Sequence, residues 1–267
     1  MNGLRSALGF LTILPVAPRY AGGLAAARGW FPVAGLLLGV VLAGADLLMH
    51  WGYPLFTDVY RPFPPLLSAA ILTVLLVALT RALHLDGFMD CCDALLGGFS
   101  RERRLEILRD SHVGAFAVAG VVSLLLVKVA ALTALPPVGR VWVLLAVPCL
   151  SRWAMLLVLE LFPYARRDGI GVPFQPRGGR WQLLAGLCVA VAVTLAFTGF
   201  AGLALMGMVT IVALGIAGWA SKLLGGVTGD VYGAVNEISE AAALALAAIL
   251  AFAVSESFLQ PIHRLFW

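Results

Sequence analysis

The sequence predicts an all-α integral membrane protein, a single polytopic domain spanning residues 1–267, with about seven transmembrane helices and an interfacial N-terminal segment. Of 267 residues, 61% are hydrophobic and only 12% are charged, whereas soluble domains carry about 25% charged residues. The mean hydropathy is +0.98. The apolar runs are continuous rather than alternating, which favours spanning helices over spanning strands.

Apolar runs between polar or Pro/Gly breaks predict the spans in chain order. They lie near residues 31–50, 65–83, 114–134, 141–161, 182–199, 202–221 and 239–258. Only residues 198–201 separate the fifth and sixth spans, so a re-entrant pair is an alternative. Residues 4–14 precede the first span; this stretch is short, lacks a cleavage pattern and is predicted to lie at the interface. Lys128 and Arg152 fall inside spans and are expected to face the bundle interior, with snorkelling towards the interface as the alternative.

The positions of the lysines and arginines predict the orientation of the chain in the membrane. Cytoplasmic loops carry an excess of Lys and Arg, and a cytoplasmic N-terminus places most cations on that side, leaving only Arg61, Arg140 and Arg264 outside. The C-terminus is then predicted to lie outside, and loops 84–113, 162–181 and 222–238 share the cytoplasmic face. The net charge of +4 is therefore interpreted as a topology signal, not as a sign of nucleic-acid binding. We expect the chemistry at the cytoplasmic face.

The densest polar cluster is His84–Asp93. If this segment continues the second helix, Asp86, Asp90 and Asp93 stand at i, i+4 and i+7 on one helical face. Three carboxylates so placed near a membrane repel one another unless a cation lies between them. Oxygen-only ligands suit Mg²⁺ or Mn²⁺. The sequence predicts a metal site here; a solvated acidic helix end is the alternative.

Residues 101–110 place apolar residues among charges, which predicts an amphipathic helix on the membrane surface. Its arginines could hold a diphosphate or anionic lipid headgroups, and the pattern leaves both open. Arg109 is the better phosphate candidate because it stands at the start of a span, and Asp110 could add a fourth carboxylate to the metal site.

A second polar island covers residues 225–240. Glycines around a threonine allow backbone amides to approach a phosphate, and Asp230 and Glu237 share a helical face seven residues apart. A helix cap followed by a solvated turn is the alternative. The island's predicted phosphate ligands are Gly226, Thr228, Gly229 and Asn236, and its predicted metal ligands are Asp230 and Glu237. Metal, carboxylates and cations in a membrane cleft favour phosphoryl transfer by direct displacement.

At these residues the sequence closely resembles the cobalamin synthase family, the adenosylcobinamide-GDP ribazoletransferases. The resemblance rests on His84-Leu85-Asp86-Gly87 with Asp90 and Asp93, on Gly225–Glu240, and on matching stretches near residues 9–16, 31–35 and 105–111. It implies transfer of the adenosylcobinamide-phosphate group to alpha-ribazole or its 5'-phosphate, with release of GMP.

The resemblance also implies a cofactor, Mg²⁺, and roles in binding metal or diphosphate for Asp86, Asp90, Asp93 and Asp230. His84 is the candidate general base, and His112 stands where an Arg is frequent. A bacterial inner-membrane location and contact with other late cobalamin-assembly enzymes are further expectations; the oligomeric state stays open. No nucleic acid is expected as a partner.

Two other classes could hold such carboxylates. A CDP-alcohol phosphotransferase shows a D-G-x-x-A-R run, but here Asp90 and Cys91 follow Asp86-Gly87 at the corresponding places. A cation-coupled transporter favours carboxylates near the bilayer midplane, whereas these lie at span ends.

Overall fold

The fold is a bundle of α-helices, seen in a computed structural model that describes residues 2–16, 24–52, 63–166, 181–253 and 261. No strand occurs in these ranges, and Tyr164 and Val227 form an isolated β-bridge. Six described helical segments are long and apolar enough to cross a membrane, and counting the bent pair α4 and α5 as one span brings the number to seven. The predicted polytopic all-α membrane protein is confirmed. The helices are α1 Asn2–Leu11, α2 Leu24–Ala27, α3 Phe31–Leu47, α4 Pro65–Leu79, α5 Leu83–Gly97, α6 Arg101–Ile107, α7 Ala115–Ala134, α8 Pro137–Leu161, α9 Trp181–Thr198, α10 Ala201–Leu224 and α11 Gly229–Ala253.

Helix α8 forms the centre of the bundle. Within its most apolar window 83% of residues are buried, against 28% for α7 and for α9, whose remaining side chains face outwards. Helix α3 crosses α8 closely because Gly35 and Gly39 stand four residues apart on the contact face. A Cβ at Gly39 would lie 2.6 Å from the carbonyl oxygen of Leu144. Small residues at such spacing let membrane helices approach without a side chain between them.

One end of the bundle gathers the starts of α3, α5, α7, α9 and α11 and the ends of α8 and α10; we call it the site end. Hydrogen bonds between three pairs of segments stabilise the site end. The segment after α8 pairs with the segment before α11, where Ala165 N–H donates to the Val227 carbonyl at 2.8 Å. The Arg101 Nε–H of α6 donates to the Leu224 carbonyl at 2.8 Å. Asp93 accepts from Gly114 N–H at 2.6 Å, at the start of α7.

The predicted second span, 65–83, is wrong at its end. Helix α4 stops at Leu79, and α5 leaves at an angle of 92°. At the break, Arg81 and Ala82 both have φ of +54°, a left-handed conformation that non-glycine residues rarely adopt. The segment after α1 supports the break, because Ile13 N–H donates to the Leu79 carbonyl at 2.7 Å. The acidic stripe therefore lies on a separate helix and does not continue the second one.

The last predicted span, 239–258, and the predicted polar loops around it need correction as well. Residues 229–238 belong to α11, so this helix starts ten residues earlier than predicted. Its polar residues Glu237 and Glu240 are buried and paired with cations of other helices, which lets a helix that carries them enter the bundle. The predicted loop 84–113 likewise holds α5 and α6, and most of loop 162–181 lies outside the described residues, as does the C-terminus whose location was predicted.

The prediction that Lys128 and Arg152 face the bundle interior is confirmed. Lys128 Nζ lies 2.6 Å from Glu237 Oε2 and 2.7 Å from Glu240 Oε2, and Arg152 pairs with the other oxygen of Glu240. Ser151 donates to that oxygen at 3.2 Å. We call Lys128, Arg152, Glu237 and Glu240 the buried network. It joins α7, α8 and α11 and contains as many anions as cations.

Candidate active site

The site is built on a crossing of α5 over α11 that leaves no room for side chains. A Cβ at Gly87 would lie 2.9 Å from the Asp230 Cα, and a Cβ at Gly233 would lie 2.7 Å from the His84 carbonyl oxygen. Real Cβ atoms do not approach this closely, so both positions require glycine. The crossing brings Asp86 and Asp90, on either side of Gly87, next to the first turn of α11, which carries Asp230.

A cavity of about 280 Å³ opens beside this crossing; we call it the cleft. His84, Asp86, Arg166 and Asp230 supply its charged and ionisable lining, and Gly229 lies at its edge. His84 is 2% exposed, and neither of its ring nitrogens has a hydrogen-bond partner among the described residues. A buried polar group without a partner is costly in a folded protein, so His84 is suited to a bond with a ligand in the cleft.

Negative charge concentrates at the crossing. Asp86 is exposed, whereas Asp90 and Asp230 are partly buried. The electrostatic fields of Asp230, Asp86 and Asp93 all act on Asp90, against a single guanidinium, that of Arg166. Like charges held this close repel one another. The arrangement therefore attracts a cation.

Two contacts place the Asp230 side chain. Thr228 Oγ1 donates to Asp230 Oδ2 at 3.1 Å, and Arg166 Nη2 lies 3.5 Å from the same oxygen. The Nε and Nη2 atoms of Arg166 are buried and form no hydrogen bond within the part of the chain that the structure describes. Because a guanidinium presents donors in a fork that matches phosphate oxygens, Arg166 is suited to bind a phosphate beside Asp230.

Asp93 has a different surrounding from the other two carboxylates of its stripe. Its Oδ2 accepts from Gly114 N–H at 2.6 Å and its Oδ1 from Ala117 N–H at 2.9 Å. These amides belong to the first turn of α7, whose N–H groups have no partner within the helix. Asp93 therefore caps α7 and ties it to α5, and its charge still reaches Asp90.

The glycines of the second island differ in their surroundings. Gly225 ends α10 with φ of +77°, a left-handed cap that favours glycine. A Cβ at Gly226 would lie 2.6 Å from the Pro163 carbonyl oxygen, so Gly226 permits the pairing of the segments that follow α8 and α10. A Cβ at Gly229 would meet no atom within 4 Å. Of these glycines, Gly229 borders open space in the cleft.

Three predicted site residues have their described partners away from the crossing. Glu237 belongs to the buried network, and Asn236 Nδ2 donates to Glu237 and Glu240, each at 3.3 Å. Asp110 and the neighbouring Arg109 are exposed. Asp110 Oδ1 lies 2.5 Å from His112 Nδ1, and this hydrogen bond lowers the pKa of Asp110 and raises that of His112. None of the hydrogen bonds and ion pairs given above for Asn236, Glu237 and Asp110 reaches Asp86 or Asp230.

Several residues that form the cleft had no specific signal in the sequence. Arg166 was one of many basic residues interpreted as topology signals and possible phosphate contacts, and Tyr164 and Tyr232 carried no motif of their own. The patterns H-L-D-G and G-D-x-x-G did contain Gly87 and Gly233. Their occurrence on two helices was the available signal for a close crossing.

The cleft's donors are suited to a metal shared with a substrate. No group of three His, Cys, Asp or Glu side chains among the described residues is close enough to hold a metal ion alone. Mg²⁺ commonly uses one or two carboxylates and takes its remaining ligands from water and substrate phosphates. Asp86, Asp90 and Asp230 supply hard oxygen donors of this kind.

Comparison with known proteins gives consistent matches along the chain. A family model described as cobalamin-5-phosphate synthase matches residues 3–248. A protein of Syntrophobacter fumaroxidans named adenosylcobinamide-GDP ribazoletransferase is 40% identical over 255 residues, covering 92% of this chain and 97% of its own length. Proteins of the same name from Desulfitobacterium hafniense and Desulforamulus reducens are 38% and 36% identical over 90% of this chain, covering 94% and 93% of their own lengths. No solved structure matches.

Proposed function

The chain belongs to the cobalamin-5-phosphate synthase family, and we propose that it is a membrane-embedded transferase that joins adenosylcobinamide-GDP to alpha-ribazole. The relatives that it matches over 90% of its length carry the name of this activity. The observation that carries the assignment to a site is the α5–α11 crossing, which places Asp86 and Asp230 in one cleft and brings Asp90 within their electrostatic reach.

The reaction is a displacement at phosphorus. An oxygen of a ribose hydroxyl of alpha-ribazole forms a bond to the phosphorus that carries cobinamide. The bond between that phosphorus and the bridging oxygen of the diphosphate breaks, GMP leaves with the bridging oxygen, and the hydroxyl proton passes to a base. The products are adenosylcobalamin, or its 5'-phosphate when alpha-ribazole 5'-phosphate reacts, and GMP.

We assign the groups of the cleft to parts of this reaction. Asp86, Asp90 and Asp230 would hold Mg²⁺, which when bound neutralises the diphosphate and the leaving phosphate. Arg166 binds a phosphate oxygen through its buried nitrogens that have no hydrogen bond in the described structure. His84 lines the cleft, and its ring nitrogens, which have no hydrogen-bond partner among the described residues, are suited to form a hydrogen bond that orients the attacking hydroxyl. Asp93 holds α5 against α7 by capping the latter.

We place the cleft on the cytoplasmic side of a bacterial inner membrane. Among the described cations, Arg101, Arg103, Arg104, Arg166 and Lys222 lie at the site end, and Arg140 lies at the start of α8, at the opposite end. This asymmetry supports a cytoplasmic site end under the positive-inside rule. A nucleotide substrate and Mg²⁺ are available on that side, as are other late cobalamin-assembly enzymes, which we propose as partners.

A direct assay tests the function. Detergent-purified protein is incubated with adenosylcobinamide-GDP, alpha-ribazole and Mg²⁺, and GMP and adenosylcobalamin are quantified by mass spectrometry. We expect the two products in equal amounts, and no GMP when alpha-ribazole is omitted. GMP release independent of alpha-ribazole would indicate a hydrolase, and no reaction with either nucleoside form would contradict the proposal.

A further inference from the structure

Many of the side chains that line the cleft are apolar, and the reaction at phosphorus does not use them. Two aromatic pairs contribute to this lining. The rings of Phe10 and Phe31 stack at 6.4 Å between centroids and 17° between planes. The rings of Tyr164 and Tyr232 stack at 6.5 Å and 25°. The first pair comes from α1 and α3, and the second from the segment after α8 and from α11, so aromatic surface enters from two separate parts of the bundle.

The apolar lining of the cleft also includes four side chains without rings: Leu83, Leu108, Met155 and Leu159. Together with the two aromatic pairs they form what we call the apolar subsite. The carboxylates and Arg166 line the same cavity, so one ligand can place an apolar ring in the subsite and a polar group beside the carboxylates.

On the basis of the proposed function, we propose that the apolar subsite binds the flat base of alpha-ribazole and thereby selects the nucleoside that accepts the transferred group. Two substrates offer four candidate occupants, namely the corrin ring, the adenine of its adenosyl ligand, the guanine base and the dimethylated benzimidazole of alpha-ribazole. Size and polarity distinguish them.

Size excludes the corrin ring. Sites for drug-sized ligands have volumes of about 300–1,000 Å³. The whole cleft, with its apolar and its charged lining, has a volume of about 280 Å³. This volume is suited to a bicyclic base with part of its ribose. A corrin ring with its amide side chains is several times larger and must remain outside.

Polarity favours benzimidazole over guanine. The edge of guanine carries amide, amino and carbonyl groups that lose hydrogen bonds to water when they are buried, and this loss is unfavourable unless protein groups replace them. The apolar subsite offers aliphatic and aromatic surface with only the hydroxyl groups of Tyr164 and Tyr232, fewer polar groups than the edges of guanine or adenine require. A benzimidazole with two methyl groups gains from burial there, by about 0.8 kcal/mol for each buried methyl-sized group, and its ring system can stack on aromatic side chains.

Binding of the base in the apolar subsite also positions the ribose that reacts. Because His84, Asp86 and Asp230 line the same cavity, a base in the apolar subsite keeps its attached ribose within the cleft that holds these polar groups. The guanosine and corrinoid parts of the other substrate then approach from the open side. The subsite therefore acts as a positioning and specificity element for the accepting nucleoside.

The test compares substrates and variants in steady-state kinetics with purified full-length protein. For the unchanged protein we expect kcat/KM for an unmethylated benzimidazole riboside to fall about tenfold relative to alpha-ribazole. Phe10→Leu and Tyr164→Leu remove one ring each, and both should raise the KM for alpha-ribazole at least about fivefold while the KM for adenosylcobinamide-GDP stays within about twofold. Phe162→Leu is the matched control, because Phe162 packs against the core but does not line the cleft; we expect both KM values to stay unchanged.

A binding measurement keeps the proposal testable if a variant folds poorly. Saturation-transfer NMR with the unchanged protein and free 5,6-dimethylbenzimidazole, without metal or second substrate, should show transfer from protein to the ring, and alpha-ribazole should compete it away. Equal KM effects on both substrates in the leucine variants, or no transfer to the ring, would overturn the subsite. Failure of the unchanged protein to form any product would instead refute the proposed function, so the two failures are distinguishable.

Discussion

Helix α11 carries two groups of charged residues that differ in how their charge is balanced. Its first turn places Asp230 in the cleft, where the carboxylates outnumber the one guanidinium that acts on them. Two turns further along, Glu237 and Glu240 meet Lys128 and Arg152 in the buried network, with N–O distances of 2.6 and 2.7 Å for the lysine. The network is neutral within the chain. The cleft has excess negative charge that an external cation can balance.

In a membrane protein, charged residues with a structural role can be distinguished from those of a binding site by whether the chain itself supplies the opposite charge. Both groups are acidic residues on the same helix, and the sequence alone predicted both Asp230 and Glu237 as metal ligands. What separates them is the presence of a cation on a neighbouring helix. His84 marks the boundary, because it lines the cleft and also lies within the electrostatic reach of Arg152 and Glu240.

The largest expected effect is on the cleft carboxylates. Asp86→Asn and Asp90→Asn should each lower kcat at least about a hundredfold, about 2.7 kcal/mol of transition-state stabilisation, because an amide cannot replace an anionic ligand to Mg²⁺. The midpoint of thermal unfolding in detergent should stay the same or rise, since repulsion is relieved. Glu102→Gln, on the exposed face of α6, is the matched control. Near-normal turnover at saturating Mg²⁺ in either asparagine variant would remove the metal role.

Removing a charge from the buried network should lower stability, whereas removing one from the cleft should not. Lys128→Met leaves Glu237 and Glu240 short of one cation, and an uncompensated buried charge typically costs about 3–5 kcal/mol. We expect a large fall in the free energy of unfolding, measured by denaturant titration in mixed micelles. The double variant Lys128→Met, Glu237→Gln should recover part of it. Lys222→Met, at an exposed position, controls for loss of a lysine, and a Lys128 variant as stable as this control would contradict a stabilising role for the buried network.

An intermediate effect is expected at the helix crossing. Gly87→Ala and Gly233→Ala add a Cβ within 3 Å of backbone atoms of the opposite helix, so α5 and α11 must separate. Turnover should fall at least about tenfold, or about 1.4 kcal/mol in transition-state stabilisation. Gly218→Ala in α10 is the matched control, because nothing lies within 4 Å of the added Cβ. If all three variants kept full activity, close approach of the two helices would not matter to the site.

The smallest effect concerns the exposed pair of Asp110 and His112. Their hydrogen bond raises the pKa of His112 above its usual value and lowers that of Asp110. The pair therefore contributes stability only while both are ionised; the contribution is lost as pH rises through the raised pKa of His112 and as it falls through the lowered pKa of Asp110. In Asp110→Asn the pKa of His112, followed by NMR, should return towards its usual value of about 6.5. Turnover should change less than twofold. A hundredfold loss would instead return Asp110 to the active site.

The sequence predicted the helical membrane architecture because apolar runs of span length have few other solutions. It also placed Asp86, Asp90 and Asp93 on one helix, as α5 shows. It could not separate the cap from the cleft, since Asp93 depends on amides of Gly114 and Ala117 that come from a distant part of the chain. It also read the start of α11 as a loop, because the cations that neutralise its glutamates lie on α7 and α8. In both cases the structure depends on contacts between helices that are distant in the sequence, and a local sequence pattern does not show such contacts.

The most direct test of the central claim is the Mg²⁺ dependence of GMP release in the unchanged protein and in Asp230→Ala. If the excess carboxylates of the cleft share a metal with the diphosphate, this variant removes one of the metal's ligands. We expect the Mg²⁺ concentration for half-maximal rate to rise and the rate at fixed Mg²⁺ to fall at least about tenfold, or about 1.4 kcal/mol. The same metal titration and rate in both proteins would contradict it, and would make Asp230 a structural residue at the start of α11.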